Sequence, residues 1–80
     1  MNSNEFNKKY NDYLEVGFYG NVLQEENIIN YLDKEFEKAI EEHPNFKYQQ
    51  IKWKWDEIRV YTNIEDLDIK WSEHINKKLI

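Results

Sequence analysis

A hydroxyl nucleophile needs a base beside it, and this chain supplies few of either: Ser3, Thr62 and Ser72, with His43 and His74. Ser3 and Thr62 stand where helices are expected to begin, so their hydroxyls read as caps, and nothing around the histidines resembles a nucleophile motif. Metal binding would want imidazoles and carboxylates converging on one point. The two available pairs, Glu42 with His43 and Glu73 with His74, are chain neighbours, which a helix points in different directions. Sixteen acidic residues always include pairs that could act as acid and base, but no Gly-rich loop or phosphate cradle accompanies them. The absence of cysteine removes disulfides, thiolate metal sites and thiol nucleophiles together. These residues point away from an enzyme and imply no cofactor and no metal.

They point instead to binding. The stretch IKWKWDEIRVY, Ile51 to Tyr61, interleaves three cations with large apolar side chains in a chain of net charge −5. Read as a hairpin with Asp56 and Glu57 at its turn, it sets Trp55 opposite Ile58, Trp53 opposite Val60 and Ile51 opposite Thr62 on one face. The other face then carries Tyr48, Lys52, Lys54, Arg59 and Tyr61, with Lys54 opposite Arg59. Like charges facing one another cost stability, so local folding alone would not choose them. Three roles fit such a face: solubility and edge protection, where lysines keep a sheet from pairing with its neighbours, stacking and phosphate contact with single-stranded nucleic acid, or docking on an acidic patch of a protein. The overall negative charge works against nucleic acid.

A second candidate surface is acidic. Glu26, Asp33, Glu37 and Glu41 follow one flank of the longest helical pattern, about one to two turns apart, roughly 6 to 10 Å. Carboxylates at that spacing could imitate the phosphates of DNA and occupy a DNA-binding cleft on another protein. Lys34 and Lys38 lie near enough to dilute their field, and a solvated helix face accounts for them equally well.

Both surfaces need a scaffold, and eighty residues provide one small domain, residues 1–80, with no internal repeat and no linker. Hydrophobic residues are 40% and aromatic residues 16% of the chain, so a few large side chains must fill the core. From Ser3, the apolar residues Phe6, Tyr10, Tyr13 and Leu14 keep helical spacing. Leu14 to Tyr19 reads as a short strand or connector that could add a third strand to the hairpin. Asn21 and Gln24 are spaced as a helix start, and Ile28, Ile29, Leu32, Phe36, Ala39 and Ile40 hold one face until Pro44 stops the helix near His43. Thr62 and Glu65 are spaced as a capping box for a last helix with the stripe Ile64, Leu67, Trp71, Ile75 and Leu79.

The expected fold is therefore α+β, in the order helix, short strand or connector, long helix, β-hairpin, helix, with the indole face of the hairpin on the helices. The N-terminal residues lack the apolar core of a signal peptide and no apolar run spans a membrane, so a cytoplasmic protein is expected. The high usage of Asn, Lys, Ile, Tyr and Glu suits an A+T-rich genome, such as that of a low-GC bacterium or its phages and mobile elements. The functional expectation is a small non-catalytic protein, a regulator or inhibitor that sterically occupies a macromolecular partner. Direct nucleic-acid binding through the hairpin and DNA mimicry through the acidic flank are its alternatives.

Overall fold

The computed structural model describes residues 1–80. Three helices, α1 (Ser3–Lys9), α2 (Glu26–Glu42) and α3 (Glu65–His74), surround a three-stranded mixed sheet of β1 (Gly20–Asn21), β2 (Tyr48–Lys54) and β3 (Glu57–Thr62). β2 is central, parallel to β1 and antiparallel to β3. A short 3₁₀ turn, Asn11–Tyr13, follows α1, and a wider π-type turn, Ile75–Leu79, prolongs α3. The α+β order expected from the sequence is present, and the hairpin packs against α3.

The core forms where the helical stripes meet the inner sheet face. Ile28, Ile29, Leu32, Phe36 and Ala39 of α2 are buried, as are Trp71 and Ile75 of the last helix and Ile51, Ile58 and Val60 of the hairpin. Phe36 is its hub, with ring centroids 5.0 Å from Phe6, 5.1 Å from Tyr10, Phe46 and Tyr48, and 5.3 Å from Trp71. Aromatic rings prefer tilted or offset contacts, so five rings around one fix its position from several sides.

Side chains of the helices close both edges of the sheet. On the β3 edge the N–H groups of Thr62, Val60 and Ile58 donate to Asp68 Oδ1 (2.8 Å), Ser72 Oγ (3.2 Å) and Asn76 Oδ1 (2.9 Å). Two residues of strand advance about 6.8 Å and four residues of helix about 6.0 Å, so every fourth residue of a helix running alongside can meet every second residue of the strand. On the β1 edge, Asn7 accepts the Asn21 N–H (2.9 Å) and donates to its carbonyl (2.8 Å), which Ser3 Oγ also bonds at 2.8 Å. An edge with its polar groups satisfied offers no template for another strand.

Several local expectations are corrected. Asn2, not Ser3, caps α1, in a reciprocal box with Glu5, because Ser3 is turned toward Asn21. α2 begins at Glu26 behind Glu25, not at Asn21, whose side chain is buried and accepts the Leu23 N–H at 3.0 Å. Thr62 does not cap α3, which begins at Glu65 behind Ile64 with no side-chain cap; its hydroxyl instead donates to Asp68 Oδ1 at 2.6 Å and accepts the Ile64 N–H at 3.0 Å. The third strand lies at Gly20–Asn21 rather than within Leu14–Tyr19, where Leu14 makes only an isolated bridge to Tyr48.

The hairpin turn also differs from expectation. Trp55 and Asp56, not Asp56 and Glu57, connect the strands, so Trp53 faces Ile58, Ile51 faces Val60, Lys52 faces Arg59 and Lys54 faces Glu57. This slip of two residues keeps the side chains from Gln50 to Lys54 and from Ile58 to Tyr61 on their expected faces, since strand faces alternate with period two. It moves Trp55 out of the sheet. Trp53 is 41% exposed and Trp55 90% exposed, so the two indoles do not share the core as the sequence suggested. A bulge between Tyr48 and Gln50 turns Tyr48 inward, where it is fully buried.

Candidate binding face of the hairpin

The outer face of the sheet is built by the register. Gln50, Lys52 and Lys54 of β2 lie opposite Tyr61, Arg59 and Glu57 of β3. Their strand neighbours Ile51, Ile58 and Val60 are buried on the other side, which forces these six side chains outward. Of the five residues expected to form a binding face, Lys52, Lys54, Arg59 and Tyr61 are brought together. Tyr48 does not belong to it, because the bulge gives it to the core, where burial pushes its phenol up to about 12.

Charge on this face is only partly balanced. Arg59 bonds Glu57 at 2.9 Å along its own strand. Lys52 and Lys54 have no carboxylate within ion-pair distance, although Lys54 faces Glu57 across the ladder. The like-charge pair is thus Lys52 with Arg59 rather than Lys54 with Arg59. Trp53, on the opposite face, donates its indole N–H to Glu25 Oε1 at 3.0 Å, which fixes the ring at the sheet margin.

The acidic flank of α2 is engaged within the molecule. Lys9 of α1 bonds Asp33 at 2.9 Å and Glu37 at 2.6 Å, and the N-terminal ammonium lies 3.8 Å from Glu26. Tyr10 adds a hydroxyl donor to Asp33 Oδ1 at 2.6 Å. Burial works to raise the Asp33 pKa, but the hydrogen bonds from Tyr10 and Lys9 outweigh it and hold the carboxyl below its ordinary value. Glu41 is exposed and makes no ion pair.

The residues capable of chemistry have structural posts. Ser72 accepts the Val60 N–H, His43 ends α2, and the His74 ring stacks on Tyr31 with centroids 4.5 Å apart and planes 18° apart. No three His, Asp or Glu side chains gather at metal-binding distance. The depression beside β3 is lined by polar residues, Arg59, Glu73 and Lys77 among them, with Ile69 its single apolar contributor.

Trp55, expected on the inner face opposite Ile58, stands in the turn instead. Its backbone has φ +60°, the only positive value outside glycine. A two-residue loop with positive φ at its first position alone has the pattern of a type II′ turn, where glycine is favoured. A tryptophan there gave no turn signal to read. Compared with known protein families, with curated proteins and with solved structures, the chain matches none.

Proposed function

We propose that this is a small non-catalytic binding protein, a regulator or inhibitor that covers part of the surface of another protein through Lys52, Lys54, Arg59 and Tyr61. One observation carries the reading: two lysines without ion-pair partners, Lys54 exposed and Lys52 half-buried, stand on the outer sheet face beside a like-charged arginine, in a chain of net charge −5. Edge protection explains them poorly on the β3 side, where helix side chains already bond the strand N–H groups. Unpaired cations on an open face match an acidic patch on a partner, and tyrosine and arginine serve well as contact residues. Steric occupation asks for no pocket.

Nucleic acid would use the same face, with Tyr61 stacking on bases and the cations on phosphates. Net charge opposes it. DNA mimicry draws less support, since three of its four carboxylates have cationic partners within the chain.

The test immobilises the wild-type protein and a Lys52→Glu/Lys54→Glu variant side by side and exposes both to a lysate of the native host. The expected outcome is a protein retained by the wild type, eluted by salt, and absent from the variant. Titration of wild type with single-stranded oligonucleotides at two salt concentrations is expected to show no binding at the lower one. Tight binding that falls steeply with salt would favour nucleic acid instead.

A further inference from the structure

Trp55 is placed where folding gains least from it. The indole is 90% exposed at the tip of the hairpin, and the residue takes φ +60°, a value that bulky side chains rarely adopt and that glycine would hold without strain. A large apolar ring in water, on a strained backbone, costs the free protein twice. Backbone strain persists where surrounding structure enforces it, and it gathers at sites of function.

We infer that Trp55 anchors the contact made by the hairpin, its indole entering an apolar pocket on a protein partner whose rim is acidic, while Lys52 and Lys54 meet the carboxylates of that rim. The inference rests on the reading of the hairpin as a protein-binding face and adds the pocket and its rim. Three observations select this partner. The tip carries a ring with two polarities: an apolar body and an N–H that can end on a rim acceptor, as in interface hot spots. Lys54 precedes Trp55 directly and Lys52 lies one pleat further back, neither in an ion pair, while Asp56 follows Trp55 and Glu57 is held by Arg59, so the unpaired charge beside the anchor is net positive on the face that carries the lysines and its complement there is negative. Trp53 stands at the margin behind the tip, 41% exposed and held by Glu25, as a second apolar surface for the pocket wall.

Other occupants fit less well. A second copy docked tip to tip by a two-fold axis would bring together two surfaces of the same net positive charge. An anionic lipid surface would attract the lysines and accept the indole, but it repels a body of net charge −5.

The experiment selects binders to the wild-type protein from a displayed library of repeat-protein scaffolds with randomised concave surfaces, then measures their affinity for Trp55→Gly and Lys52→Glu/Lys54→Glu. Binders with apolar, acid-rimmed concave faces are expected, losing affinity for Trp55→Gly by at least about thirtyfold, the level that marks a hot spot. Alone, Trp55→Gly is expected to raise the melting temperature by several degrees, because a glycine holds this backbone without strain. A lower melting temperature would make the indole a structural support and overturn the proposal. Binders that lose affinity for the lysine variant but keep it for Trp55→Gly would leave the face and remove the anchor. Binders indifferent to both would remove the face as well. Transfer of wild-type Trp55 fluorescence into phosphatidylserine vesicles at physiological salt, absent in Trp55→Gly, would replace the protein pocket by a membrane.

Discussion

Asn76 takes the place of a fourth strand at Ile58: its Oδ1 accepts the Ile58 N–H and its Nδ2 donates to the Ile58 carbonyl, both at 2.9 Å. One amide thus satisfies both polar groups of a residue on the sheet margin, as a strand neighbour would. Asn7 does the same for Asn21 on the opposite margin. Two asparagines on two helices therefore finish a sheet of three short strands at both sides.

Replacing Asn76 by alanine is expected to cost about 2 kcal/mol, from three lost bonds and two part-buried strand groups left without partners. Asn76→Asp keeps the acceptor for the Ile58 N–H but turns an oxygen toward the Ile58 and Ser72 carbonyls, so its cost measured by urea denaturation should be no smaller. Hydrogen exchange at the Ile58 amide should quicken in the alanine variant and stay slow in the aspartate variant. Equal exchange in both would mean that the side chain does not guard this edge.

The elements legible in the sequence are those whose signal is local. The stripe from Ile28 to Ala39 and the stripe from Ile64 to Leu79 repeat at helical spacing, and each buries the side it advertises. The faces of the hairpin were legible too, because alternation survives the two-residue slip that moved the turn. That is why Lys52, Lys54, Arg59 and Tyr61 stay together while their partners change. Register was not legible: neither Asp-Glu nor Trp-Asp is a favoured turn pair, and the bulge that buries Tyr48 leaves no mark in composition. The edge-closing residues looked like an ordinary polar face. Their one signal was the spacing of Asp68, Ser72 and Asn76, which acquires meaning only beside a strand.

Phe36 should be the residue least tolerant of truncation. Phe36→Ala removes a ring in contact with five others and is expected to cost about 3 to 5 kcal/mol. A domain of this size holds about 4 to 12 kcal/mol in total, so the variant should lose most of its near-ultraviolet circular dichroism or unfold at room temperature. Phe36→Leu, which refills part of the space, should remain folded with a lowered urea midpoint. A Phe36→Ala protein as stable as wild type would mean that the aromatic cluster does not bear the core.

Two aspartates give stability opposite dependences on acidity. Burial raises the Asp68 carboxyl above its ordinary 3.8 despite the hydrogen bonds from Thr62. The native state therefore holds its proton where the unfolded chain has lost it, and stability should fall as pH rises from 3.8 through the folded value. Asp33 is held below 3.8, so its contribution is complete above that pH and is lost as pH falls through its folded value. Melting curves across the acid range should show Asp68→Asn removing the decline on the upper side, with the amide oxygen still able to accept from Thr62. Asp33→Asn should remove the loss on the lower side. Parallel curves for wild type and both variants would sink this assignment.

Binding and stability should part at Lys52. Lys52 lies directly across the ladder from Arg59, so Lys52→Glu converts a like-charge pair into an opposite-charge pair, worth about 0.2 to 1 kcal/mol in favour of folding. The gain should shrink with added salt, because both positions border solvent and exposed charges are screened. The same substitution places a carboxylate in the centre of the cationic face, where an acidic partner would be repelled. Urea midpoints at low and high salt, read beside affinity for a partner or a selected binder, separate the two effects. A variant that is more stable and binds less would show that the lysine is kept for contact rather than for folding. A variant that is less stable at low salt would mean instead that the aliphatic stem of Lys52 packs on the sheet and outweighs its charge.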